Sequence, residues 1–255
     1  LADEGFEQIS VEPVVAQPTD SYAIREEDIP FLCEQYDILA KEIIKRKKDG
    51  KCFNFFHFMI DLTGGPCVAK RLSGCGSGTE YLAVTPWGDF YPCHQFVGNE
   101  DFLMGNVDDG IVRPDIRDMF KNSNVYSKEK CKNCFAKFYC SGGCAANSYH
   151  TQGSINGVYE YGCKLFRKRI ECAIMVKIAE AMDEAEAKGA KILVFPELCI
   201  TGYTCGDLFY QQVLLREAKK ELLAIAKYTQ RKDYLAFVGL PLEYNGKLYN
   251  VAAAV

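Results

Sequence analysis

The chain has 255 residues, a length that suits two or three folding units at about 100–200 residues each. Its hydrophobic share of 48% and charged share of 25% are those of a globular protein and exclude disordered, collagen-like and low-complexity classes. A net charge of −4 argues against nucleic acid as a partner, and no apolar run approaches the roughly 18 residues of a membrane-crossing helix.

In chain order, three sections are expected: residues 1–63, 64–172 and 173–255. Leu1 stands where an initiator Met would, with no basic-then-apolar signal region after it, which reads as a processed chain or a fragment. Residues 8–16, rich in Val and Ile, predict a buried strand. Residues 26–48 predict a helix with an acidic start at Glu26, Glu27 and Asp28 and apolar positions at Phe31, Leu32, Leu39, Ile43 and Ile44. Its last turn, Lys45 to Lys48, is basic and reads as a solvated end that suits the helix dipole, with an anion or partner contact as the alternative. One strand and one helix bury too little for a core, so this section reads as the last part of an α/β domain.

The second section predicts a hairpin, with strands over residues 79–85 and 90–96 around a Pro86-Trp87-Gly88-Asp89 turn, and a short helix over 115–122. Between Cys131 and Cys163 little periodic apolar pattern survives, so metal is expected to hold that stretch in place of a hydrophobic core. The third section predicts a helix over 173–188 ended by Gly189, a short strand over 191–195 of the fully buried parallel type, a helix over 214–229, a buried strand over 234–239 and one more from 247. That is an α/β pattern whose sheet is left with an open edge, and aggregation is expected of it.

The composition carries thirteen cysteines, ten of them from Cys52 to Cys172. In a chain with no secretory signal, clustered thiols point to metal rather than disulfides, and a cytoplasmic location is expected. Cys131, Cys134, Cys140 and Cys144 follow one another with two, five and three intervening residues, and Cys163 comes after eighteen more. Thiolates so close in sequence converge from tight turns on one soft metal centre. Upstream, Cys75 and Cys93 are separated by twelve residues, Gly88 and four more. A glycine there suits a turn of positive φ, and the hairpin would bring the two thiolates towards each other.

This series, C-x12-G-x4-C, C-x2-C-x5-C-x3-C and a last C, resembles the SPASM domain of radical S-adenosylmethionine (SAM) enzymes. More narrowly, the six cysteines from Cys93 to Cys163, the Leu-Ala-Val-Thr-Pro-Trp-Gly-Asp hairpin and residues 62–78 resemble thioether-forming maturases of "six cysteines in forty-five" (SCIFF) peptides. The resemblance covers residues 1 to about 179 and implies two auxiliary [4Fe–4S] clusters with interleaved ligands. One would take Cys131, Cys134, Cys140 and Cys163. The other would take Cys75, Cys93 and Cys144, with Cys67 or a substrate thiolate in fourth place. Zinc, as a non-enzymatic module, is the alternative for such thiolate sets. The resemblance further implies a cysteine-rich precursor peptide and an electron-donor protein as partners, with neither nucleic acid nor membrane. SAM itself is implied only for the complete parent enzyme: the C-x3-C-x2-C triplet that binds the SAM-cleaving cluster is absent, Asn147 standing where Cys140 and Cys144 would need a third cysteine. Radical generation by this chain alone is not expected.

Downstream, Phe195-Pro196-Glu197-Leu198-Cys199-Ile200-Thr201-Gly202-Tyr203 follows a predicted strand, where α/β folds place their sites. Glu197 among apolar residues would have a raised pKa and could act as a general base; a structural Glu held by backbone N–H groups is the bland reading. Residues from about 182 to 255 resemble the start of the nitrilase-type glutaminase domain of glutamine-dependent NAD synthetases, in which Glu197 matches the general base. The family's Lys and nucleophilic Cys lie farther downstream, Cys199 and Cys205 fall at the wrong places to replace the nucleophile, and amidase activity is not expected.

The fold class expected is therefore mixed α/β and α+β: the end of a partial radical SAM (β/α) barrel, a cysteine-rich iron–sulfur domain and an incomplete nitrilase-like segment. The two resemblances meet inside one helical pattern, which reads as a chimaera of two gene products, with a true fusion as the other reading. The remaining candidates are plainer. His94, beside Cys93, is expected to pack or face solvent, with metal ligation or a bond to a cluster sulfur as the alternative. His57 is expected to be a satisfied core histidine, and His150 carries no signal. Cys33, Cys52 and Cys172 are expected to be buried small hydrophobes.

Overall fold

The computed structural model of the chain describes residues 1–61, 71–202 and 209–255. It divides into two compact units: Leu1–Leu39 with Asn54–Glu171, and Ala40–Phe53 with Cys172–Val255. No described helix is long and apolar enough to cross a membrane.

In the first unit, β1 (Gln8–Ile9) pairs in parallel with β2 (Asn54–Phe55), Gln8 opposite Asn54. The strand expected over residues 8–16 is thus reduced to its first two positions. Pro13 has no N–H to give a ladder, and β2 passes at once into a tight 3₁₀ turn at Phe56–Phe58, leaving the rest of β1 without a partner. Helix α1 (Asp28–Lys48) forms as expected, and the Arg25 N–H donates to Asp28 Oδ2 at 2.9 Å just before it. Its basic end is paired rather than simply solvated: within the second unit Lys47 meets Glu180 at 2.9 Å and Lys48 meets Asp183 at 3.4 Å.

The expected hairpin forms with shorter strands. β3 (Ala83–Val84) and β4 (Asp89–Tyr91) are antiparallel, and β5 (Gly105–Asn106) and β6 (Gly110–Ile111) extend the sheet in sequence order. Gly88 has φ +92°, and a Cβ there would lie 2.7 Å from Val107 Cγ2, so both backbone and neighbour require glycine. Residues 94–96, expected in the returning strand, form a 3₁₀ turn. Helix α2 (Pro114–Asn122) buries Ile116 and Phe120, four residues apart on one face. They join Tyr91, Phe96, Phe102 and Met104 in a core where the Phe96 and Phe102 rings stand 4.3 Å apart.

That core corrects the expectation that metal alone would order the stretch from Cys131 to Cys163. Ala146 and Ile155 lie inside the stretch and are buried in the aromatic cluster. Their contribution was hidden because single apolar side chains, delivered from turns and short helices, leave no period to read. The helices are α3 (Glu129–Lys132), α4 (Lys137–Cys140), α5 (Ala145–Gln152) and α6 (Glu160–Ala187). Helix α6 starts at Glu160 rather than 173 because no Gly or Pro interrupts residues 163–188.

In the second unit, β7 (Ile192–Val194) runs parallel to β8 (Leu235–Tyr244), which pairs antiparallel with β9 (Lys247–Ala254). Helix α7 (Gln212–Thr229) supplies Ile225 and Tyr228 to a core around Met182, Leu193 and Ala236. The β8–β9 turn is Asn245-Gly246, both at positive φ, which sets the register of the longest pairing in the chain. β7 is not the doubly buried strand expected. Leu193 is buried, but Ile192 is 66% and Val194 77% exposed, because the described residues cover one face of this edge strand.

Candidate thiol sites

Cys131, Cys134, Cys140 and Cys163 line one pocket, together with Arg167. Short turns place them. The Cys131 N–H donates to Lys128 O at 2.9 Å, and the Cys134 N–H donates to Cys131 O at 3.1 Å. Cys140 closes α4 with its N–H on Ala136 O at 2.8 Å, and Cys163 sits in the first turn of α6 with its N–H on Tyr159 O at 3.0 Å. Burial and then the neighbouring thiolates push the Cys140 thiol up to about 11 and the Cys163 thiol up to about 12. Burial raises the Cys131 thiol too, against the pull of Lys128. Arg167, one helical turn beyond Cys163, makes a side-chain hydrogen bond to Cys134.

Cys75, Cys93 and Cys144 form a second group around Tyr81, whose hydroxyl is raised by burial and then by the negative charge of all three thiolates. The Tyr81 hydroxyl lies 3.9 Å from Cys75 Sγ. The Gly78 N–H donates to Pro92 O at 2.9 Å, tying the Cys75 loop to the strand end that carries Cys93. The same loop passes residues 141–143, since a Cβ on Gly74 would lie 3.3 Å from Ser141 O. Cys93 is buried, while Cys75 and Cys144 are exposed. Cys67, the fourth candidate, lies outside the described residues.

The two groups interleave along the chain. Cys140 and Cys144 go to different groups across Ser141, Gly142 and Gly143, all three at positive φ. Positive φ at three successive residues, two of them glycines, reverses the backbone between the two cysteines. Among the described residues, no three Cys, His, Asp or Glu side chains converge tightly enough to hold a single metal ion. A tetrahedral zinc at about 2.3 Å from each sulfur would draw four thiolates to within about 4 Å of one another. Sequence reasoning missed three residues here. Arg167 carried a signal, its i+4 spacing from Cys163, whereas Tyr81 and Lys128 carried none.

The histidines stay apart from both groups. His94 is exposed, with Nε2 at 3.0 Å from Gln95 Nε2. His57 is satisfied as expected: Nδ1 accepts from Arg169 at 2.8 Å, and Nε2 is 2.9 Å from Glu12. His150 stands against the Tyr149 ring, 5.9 Å between centroids. Of the plainer cysteines, Cys172 is buried, Cys33 is partly buried, and Cys52 is exposed, contrary to expectation. Cys52 lies in the short link between α1 and β2.

Glu197 follows β7 as expected, but it is exposed rather than enclosed by apolar side chains, and Asn250 on β9 donates to its Oε1. The cause is the open face of β7, which leaves the segment beyond it uncovered as well. Cys199 instead turns inward, its Sγ 3.6 Å from Gly239 O. Cys205 lies outside the described residues.

Comparison with known proteins separates the same two parts. A solved structure of tagged anSMEcpe with bound AdoMet, a radical SAM maturase, aligns over 70% of this chain and 49% of its own, with a TM-score of 0.50 and 20% sequence identity. At that identity the likeness is one of fold. The profile of the carbon–nitrogen hydrolase family matches residues 171–255. Glutamine-dependent NAD(+) synthetases of Aquifex aeolicus and Thermotoga maritima are 38% and 37% identical over 79 residues, 31% of this chain. The matched stretch spans 14% of the length of those curated relatives. The chain thus joins a part similar in fold to a radical SAM maturase to a segment similar in sequence to a stretch of glutamine-dependent NAD(+) synthetases.

Proposed function

We propose that this chain is the iron–sulfur-binding SPASM portion of a radical SAM peptide maturase, in which residues 1–63 are the tail of the barrel and 64–172 the auxiliary domain. One observation carries the reading: the pocket shared by Cys131, Cys134, Cys140 and Cys163, with Cys75, Cys93 and Cys144 set apart from it. These match the two ligand sets that the resemblance to the SPASM domain implies. Each would hold a [4Fe–4S] cluster, which supplies one-electron transfer and, where a ligand position is open, a place for a substrate thiolate. The exposed Cys75 and Cys144 face solvent, where Cys67 or a thiolate of a cysteine-rich precursor peptide could complete the set. Arg167 steadies Cys134 and keeps a positive charge beside a centre that is anionic when bound. The thioether chemistry belongs to the complete parent enzyme, with its SAM site and an electron-donor protein.

Iron, zinc and acid-labile sulfide per chain after anaerobic expression test this reading. About eight iron and eight sulfide are expected, two [4Fe–4S] centres. Stoichiometric zinc without sulfide overturns it in favour of a zinc-stapled binding module.

The family-profile match over residues 171–255 favours a second reading for residues 173–255, as the first part of a glutamine amidohydrolase domain. Glu197 is the one member of that family's catalytic set within these residues, and it stands exposed. No ammonia release from glutamine is expected of this chain. Release above the rate of a Glu197→Gln variant would show the opposite.

A further inference from the structure

Lys128 is 3% exposed, yet among the described residues no carboxylate pairs with it. Its Nζ donates to Gly142 O at 2.9 Å. Its stem lies along Gly142, where an added Cβ would sit 3.8 Å from Lys128 Cδ. Gly142 lies between Cys140 of one thiol group and Cys144 of the other. Burial pulls the Lys128 pKa below its usual value, and the thiolates of Cys131, Cys140 and Cys163 from one group and of Cys144 from the other oppose that pull. Arg167 differs, since its thiolate partners, Cys134 and Cys163, belong to one group.

An ammonium has three N–H donors, and burying its charge costs several kcal/mol unless negative charge stands close by. One backbone carbonyl does not offset that cost. Thiolate-ligated centres on either side would, because each carries net negative charge. We infer that Lys128 is a positioning residue whose buried charge is shared by both auxiliary centres and raises the reduction potential of each. The sign follows from charge: reduction adds an electron, and a fixed cation stabilises the more negative state. This inference rests on the iron–sulfur reading above.

Its test is a redox titration of the full chain followed by electron paramagnetic resonance, on wild type, Lys128→Met, Lys128→Arg and Arg167→Met. Lys128→Met keeps the stem and removes the charge. It is expected to lower both midpoints, with the oxidised-to-reduced ratio at each wild-type midpoint rising about tenfold, 59 mV for one electron. Arg167→Met is expected to lower one midpoint, and Lys128→Arg to keep both near wild type. Full iron in Lys128→Met with both midpoints unmoved, or with one moved, overturns the shared role. If Lys128→Met loses iron, Lys128→Arg decides: full iron there supports the charge, whereas loss in both shows that packing on Gly142 is the only role. A wild-type chain without iron and sulfide overturns the proposed function instead, so the two failures are distinct.

Discussion

In the unit that carries Cys75 to Cys163, seven thiols stand in two groups beside an aromatic core, whereas the unit that carries Glu197 places its candidate acid on an open surface. The difference is one of what holds polar groups in place. Buried thiols resist ionisation, and Cys140 and Cys163 are pushed up to about 11 and about 12 by burial and by one another. Such a set is a poor arrangement without a cation and a good one with it, since a bound metal takes thiols as thiolates. The second unit has no such requirement. Its core is Met182, Leu193 and Ala236 with their neighbours, and its Glu197 is held by one amide. Contacts of that kind build a scaffold, and they leave a general base without the dry surroundings it needs.

The largest effect should come from breaking the first side of this comparison. On the proposed function, Cys131→Ser is expected to remove about half of the iron and to expose the segment around α3 and α4 to protease, because a centre bound there would contribute folding free energy. Cys199→Ser, in the second unit, should keep the full iron complement. Equal iron in both variants would dissolve the distinction between the units.

A smaller effect tests the other side. Leu240 is fully buried in β8, and Leu240→Ala is expected to cost the second unit about 2–5 kcal/mol in denaturant unfolding while iron content stays unchanged. A loss of iron in this variant would tie the two units together more closely than their compositions imply.

The mildest probe is pH. Burial first, and the Arg169 charge second, hold the His57 pKa below its usual value of 6.5, against the opposing pull of Glu12. The unfolded chain therefore binds the proton more readily, so the stabilisation is complete above about 6.5 and fades as pH falls towards the folded value. His57→Gln should flatten the stability profile between neutral and mildly acidic pH. A variant as acid-sensitive as wild type would show that another group titrates there.

Much of the scaffold was legible from local pattern. Helices α1, α2 and α7 were set by their apolar spacing and end residues, and Gly88 by the turn it must make. The Asn245-Gly246 pair was also readable as a hairpin signal, although the strand before it was expected to end at Gly239. Strand lengths were less accessible. β1 stops at Ile9 because its partner stops, and apart from Pro13 nothing in residues 10–16 records that.

The spacing of Cys131, Cys134, Cys140 and Cys144 by itself pointed to a soft metal centre, since thiols with two to five residues between them in a turn-rich segment have few ways to avoid one another. It could not determine which thiols share a hollow, because that depends on the reversal at Ser141, Gly142 and Gly143 and on how the Cys75 loop returns to Pro92. Nor could it place Tyr81 beside Cys75 or Lys128 on the Gly142 carbonyl, since both come from positions that show no period and no motif. Glu197 shows the same limit from the other direction: a motif can set a carboxylate at the end of a strand, but only the packing of the sheet decides whether water reaches it.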